Sequence, residues 1–99
     1  MHTLLVLNIN PELEEELIDY LLELDSVSGF TSYHVNGHGH HASLSIAEQV
    51  TGRRKRTQLE LLVEVAAVES ILAGLASEVG RDIVYWQQPV NGLGRLSQT

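Results

Sequence analysis

Residues 2–24 read HTLLVLNINPELEEELIDYLLEL, and this stretch decides the fold. Its first third, His2 to Ile9, is almost continuously aliphatic: Leu4, Leu5, Val6 and Leu7 follow one another without polar relief. A run of that length suits a central strand covered on both faces. Asn10-Pro11 then opens a helix. Asn10 can cap it, Pro11 fits the first helical position, and Glu12, Glu14 and Glu15 favour the positive end of the helix dipole. Leu13, Leu17, Ile18, Leu21 and Leu22 follow at helical spacing as one apolar stripe, with Glu16, Asp19 and Glu23 opposite. Residues 25–29, DSVSG, form the closing turn.

The rest of the chain repeats this unit with an added strand. Phe30–Val35 alternates aromatic and β-branched residues with polar ones and predicts a second strand. Thr57–Glu64 predicts a third, with Leu59, Leu61 and Val63 on one face and Gln58, Glu60, Leu62 and Glu64 on the other. A second helix carries Val68, Ile71, Leu72, Leu75 and Val79 on one stripe and stops at Gly80. Asp82–Trp86 predicts a fourth strand, ended near Pro89. The order strand-helix-strand-strand-helix-strand is that of an α+β, ferredoxin-like βαββαβ sandwich: a four-stranded antiparallel sheet with two helices on one face. One domain over residues 1–90 is expected, with a polar, mobile tail over 91–99. Apolar residues at odd and even positions of the first strand cannot all lie under two helices. The open sheet face is therefore expected to meet another subunit.

Composition narrows the classes of function. Ninety-nine residues, 43% hydrophobic and 19% charged, make one globular domain of modest core. Without cysteine, disulfides and thiolate metal sites are excluded. The opening residues lack the basic region of a signal peptide, and their apolar run is too short to span a membrane, so a cytoplasmic protein without membrane insertion is expected. The formal net charge of −7 argues against a nucleic-acid partner. Four of the six Lys and Arg nevertheless fall together in Arg53–Arg56.

That basic run closes a segment unlike its flanks, residues 36–56, NGHGHHASLSIAEQVTGRRKR. It reads as a long exposed loop between the second and third strands, and a compact domain seldom carries one without a function. His38 and His40 sit two apart. In an extended segment both imidazoles face one side, while Gly37 and Gly39 let the backbone bend. Such a pair can chelate one ion, with His41, Glu48 or a neighbouring subunit completing the shell. Imidazole and carboxylate donors suit Zn, Ni, Co or Cu(II). A solvated His-rich turn with adventitious affinity is the plainer alternative.

The element order and several local sequences resemble the PII-like superfamily of small trimeric signalling proteins. The echoes are Gly37-His38-Gly39 at the loop entrance, Glu48-Gln49-Val50 in its second half, the basic run before strand three, and Gly80-Arg81-Asp82-Ile83-Val84 leading into strand four. GHGHH with EQVTGRRKR and the YWQQPV ending is similar, more narrowly, to PII-like proteins encoded beside heavy-metal efflux pumps. The resemblance implies a homotrimer, a T-loop at 36–56 as the signalling element, and an efflux transporter or regulatory partner. The loop has no Tyr, so signalling by tyrosine modification is not expected.

The basic run itself has two readings. Arg53 and Arg54, with backbone amides around Gly37 and Gly39, could hold phosphates between subunits. The resemblance implies an adenine nucleotide there, with Arg81 and Arg95 as further basic contacts. The run could instead dock an acidic partner, or simply be solvated. No nucleophile motif or paired-carboxylate spacing stands out, so no catalytic residue is expected. The expectation is a PII-like metal sensor. The rivals are a nucleotide-binding PII-like protein with incidental histidines, and a small metal store or carrier.

Overall fold

The computed structural model describes residues 1–38 and 54–98. Its elements are β1 (His2–Ile9), α1 (Glu14–Leu22), β2 (Phe30–Gly37), β3 (Arg54–Glu64), α2 (Val68–Glu78) and β4 (Ile83–Pro89). A 3-10 turn leads into each helix, at Pro11–Leu13 and Val65–Ala67, and another closes the described chain at Leu96–Gln98. The strands form one sheet in the order β2-β3-β1-β4, with every neighbouring pair antiparallel. This is the expected ferredoxin-like sandwich, with the two aliphatic strands at its centre.

The helix start behaves as its sequence dictates. The Asn10 side chain accepts from the Glu12 amide at 2.9 Å, with Pro11 in the first turn, where its missing N–H costs nothing. Leu17 and Leu21 of α1 and Val68, Ile71 and Leu75 of α2 pack with Leu5, Leu7, Ile9, Leu59, Leu61 and Val63. The core therefore lies between the helices and one face of the central strands. The second helix ends at Glu78, and the Gly80 amide turns back to the Leu75 carbonyl at 3.0 Å. Gly80 has φ +158°, which a side chain seldom tolerates, so glycine stops the helix there.

Three strands outrun their sequence-based bounds. β2 continues to Gly37 and β3 begins at Arg54, so Asn36, Gly37 and residues 54–56 belong to a hairpin rather than to a 36–56 loop. Ladder pairing decided this: Asn36 faces Lys55 and Gly37 faces Arg54, and paired backbone tolerates residues of poor strand propensity. β4 likewise runs to Pro89, whose missing donor is harmless on an edge strand. The described part of the tail holds the Leu96–Gln98 turn. Among the described residues no helix is long and apolar enough to cross a membrane.

The open face differs in one respect from expectation. Val6 sits there between Glu60 and Trp86 in the strand register, yet it is only 2% exposed within the single chain. The apolar surface left to solvent lies on its neighbours instead: Leu62, Val84 and Trp86 are exposed at 40, 55 and 38%.

Candidate functional site

The functional geometry follows from strand lengths. β1 ends at Ile9, which pairs with Thr57, whereas β2 and β3 stay paired as far as Gly37 and Arg54. Beyond the end of β1 the hairpin is therefore a two-stranded ribbon, and His38 follows directly on it. A two-stranded ribbon is marginal by itself. This one is tied down at its root by Arg56.

Arg56 is only 5% exposed. Its Nε donates to Asn8 Oδ1 at 2.7 Å and its Nη2 to the Asn8 carbonyl at 2.9 Å. Asp82 Oδ2 lies 3.9 Å from Arg56 Nη1 and 3.6 Å from Arg54 Nη2. One carboxylate thus faces two guanidinium groups, both beyond close ion-pair distance. Burying an arginine is tolerable only because its donors find acceptors, and the Asn8 pair supplies two of them.

From Asn8 the polar contacts continue across the open face. Asn8 Nδ2 donates to Gln58 Oε1 at 3.1 Å, Gln58 Nε2 donates to the Tyr33 hydroxyl at 2.8 Å, and that hydroxyl donates to Glu60 Oε2 at 2.8 Å. The bond to Glu60 holds the Tyr33 phenol above its usual range, since ionising it would set two negative charges side by side. Three strands are joined by this row of side chains, which runs from the ribbon to the middle of the sheet.

Two shallow pockets flank the ribbon. One, of about 290 Å³, is lined by Asn8, Val35, Asn36, Gly37, Arg54, Arg56, Gln58, Asp82 and Val84. The other, of about 360 Å³, is lined by Pro11, His34, Val35, Asn36, Lys55 and Arg56. Beside it, His34 Nε2 lies 3.1 Å from Glu14 Oε1, joining β2 to the start of α1. That pair is one imidazole and one carboxylate, short of a metal shell by itself.

The sequence-based candidates divide three ways. Gly37 and Arg54 meet in the 290 Å³ pocket, and His38 stands at the ribbon's end. His40, His41, Glu48, Gly39 and Arg53 lie outside the described residues. Arg81 lines a separate pocket of about 220 Å³ with Leu72, Leu75, Ala76, Gly80, Ile83 and Tyr85, and Arg95 is exposed in the tail, so neither joins Gly37 and Arg54 in that pocket. Among the described residues no three His, Asp or Glu side chains gather as a metal shell. At the opposite end of β1, Glu64 accepts from the Met1 amine at 2.9 Å, which holds its carboxyl below the usual range with help from nearby His2.

Sequence reasoning missed Asn8, Arg56 as a root residue, Gln58 and Asp82. One signal was available: Asn8 is a lone amide inside LLVLNI, and a polar residue there needs a partner. Arg56 and Asp82 became legible only once the strands were paired.

The family model described as "Protein of unknown function (DUF3240)" matches residues 1–97. No curated protein matches the sequence. Among solved structures, a DUF3240 family protein from Shewanella baltica OS155 superposes with a TM-score of 0.79 at 25% identity, covering 96% of each chain. The periplasmic divalent cation tolerance protein CutA from Archaeoglobus fulgidus superposes with a TM-score of 0.73 at 9% identity, covering 99% of this chain and 91% of that one. At such low identity the second likeness is one of fold.

Proposed function

The chain belongs to the DUF3240 family, and from that premise we propose that it is a PII-like regulatory protein that binds a divalent transition metal through its histidine loop. The observation that carries the reading is the ribbon. Val35–Gly37 and Arg54–Arg56 project past β1 and are held by Arg56 on Asn8, so His38 starts from a fixed position. His40 is two residues further on, and His41 and Glu48 supply the other donors of the proposed shell. Imidazole and carboxylate donors without thiolate suit Zn, Ni, Co or Cu(II). The name of the CutA protein, divalent cation tolerance, points to the same class of ligand. The proposed assembly is a trimer that covers Leu62, Val84 and Trp86, and the proposed partner is a metal-efflux system reached through the loop.

A second reading has its own support. The pocket lined by Gly37, Arg54 and Arg56 suits a phosphate group, as an adenine-nucleotide sensor requires. Calorimetry separates the two. The chain is titrated with Zn, Ni, Co and Cu(II), then with ATP, ADP and AMP, alongside a His38→Ala, His40→Ala double variant and an Arg54→Ala variant. Metal binding lost in the first variant and kept in the second supports the metal reading; the reverse pattern for nucleotide supports its rival. Capture of a partner only when metal is present distinguishes a sensor from a metal store.

A further inference from the structure

The dipeptide Asn-Gly occurs twice, at Asn36-Gly37 and Asn91-Gly92, in opposite structural settings. An asparagine followed by glycine is open to one reaction needing no enzyme. The following backbone nitrogen attacks the side-chain Cγ, a C–N bond forms, and the Cγ–Nδ2 bond breaks. The nitrogen's proton leaves with the amide as ammonia. Water then opens the cyclic imide at one carbonyl or the other, giving an aspartyl or an isoaspartyl linkage. Glycine favours the attack because no Cβ obstructs the approach.

Asn36 and Gly37 are in β2, paired with Lys55 and Arg54. Strand geometry, with ψ about +135°, holds the glycine nitrogen away from the Cγ of the preceding asparagine. A Cβ built on Gly37 would lie 3.4 Å from the Arg54 carbonyl oxygen, in ordinary contact with the paired strand. Asn91 and Gly92 lie just past the end of β4 at Pro89, in an exposed, irregular segment. Nothing comes within 4 Å of a Cβ built on Gly92. The backbone there is free of the ladder that locks the first site.

We propose that Asn91 is a spontaneous deamidation site and that the β2–β3 pairing protects Asn36. The product adds a carboxylate at position 91, beside Met1, His2, Thr3 and Val65 in a pocket of about 410 Å³. In its isoaspartyl form it also lengthens the backbone between β4 and the Leu96–Gln98 turn.

The test is peptide mapping of the whole chain after incubation at mildly alkaline pH, folded and in urea. Trypsin separates the sites, since residues 82–95 carry Asn91 and residues 1–53 carry Asn36. Each conversion shows as the mass difference between a hydroxyl and an amino group. In the folded chain position 91 converts at least about tenfold faster than position 36, because strand opening must precede reaction at the latter. In urea the two rates approach each other. Gly92→Ala, which the open space accommodates, slows conversion at position 91 at least about tenfold and leaves position 36 unchanged. Equal rates in the folded chain would overturn the proposal, as would a Gly92→Ala chain that converts as fast as the parent.

Discussion

Gly74 of α2 lies under the ring of Tyr20 from α1. A Cβ built at position 74 would overlap the Tyr20 hydroxyl and stand 2.8 Å from Cζ and 3.5 Å from Cε2. Gly74→Ala thus sets two effects against each other. Alanine in a helix interior is better than glycine by about 1 kcal/mol. Forcing a methyl into an occupied contact costs about 1–3 kcal/mol. The net expectation is a loss of up to about 2 kcal/mol, the difference of those ranges. In a Tyr20→Leu background the overlapping atoms are gone, and the same substitution becomes favourable by about 1 kcal/mol. The sign reverses, and the coupling free energy between the sites equals the clash, about 1–3 kcal/mol. That coupling has a ceiling, because the ring can swing into solvent once the strain exceeds the cost of leaving its contact. Urea unfolding of the four proteins at one protomer concentration reads it, the fixed concentration being needed if subunits associate. Were Gly74→Ala to stabilise both backgrounds equally, Tyr20 would not cover Gly74, and the inferred contact between the helices would be wrong.

Four further outcomes are expected. Arg56→Ala strips Asn8 of two donors, each bond to the charged group contributing about 1.5–3 kcal/mol, so hydrogen exchange at Val35–Gly37 speeds before that of β1; unchanged exchange would refute the anchoring role. Sedimentation gives a trimer mass at micromolar concentration, and Trp86→Asp lowers it by charging the exposed apolar face; a single-chain mass for the parent would end the assembly proposal. The Tyr33 phenol titrates above the ordinary value of about 10, from the difference between parent and Tyr33→Phe tyrosinate curves. Because the folded value is raised, its stabilisation is full below the unfolded pKa and is lost as pH rises through the folded one; Glu60→Gln returns it towards normal, and no change on that substitution would refute the cause given. Metal affinity falls steeply from about pH 7.5 to 5.5 as protons compete with the ion for the imidazoles, and His38→Ala with His40→Ala weakens it at least tenfold, about 1.4 kcal/mol; identical isotherms would refute the His-loop site.

Much of the fold was legible because its signals are local. The unbroken aliphatic run of β1 announced a central strand, and Asn10-Pro11 before three glutamates announced a helix start. The alternation of Leu59, Leu61 and Val63 fixed which face of β3 is buried. Strand ends were less legible, since the pairing of Asn36 with Lys55 and of Gly37 with Arg54 depends on residues far apart in sequence. The candidate site split along the same line. A histidine cluster between glycines can be seen in the sequence alone, and so can a basic run. The root of the ribbon could not be seen, because Asn8, Arg56 and Asp82 come from three separate strands or their approaches.

The sequence by itself determined the order of elements, the buried face of β3 and the chemistry available in the loop. Each of these depends on near neighbours: capping, periodicity and residue type. Tertiary structure alone decided that β1 stops short while β2 and β3 run on, that Arg56 is buried against Asn8, and that Val6 is covered while Val84 and Trp86 are left exposed. It also separated two identical Asn-Gly pairs by placing one in a ladder and the other beyond a strand's end. The physical reason is common to all of these. A strand's hydrogen bonds and the burial of its side chains are completed by residues that sequence proximity does not supply.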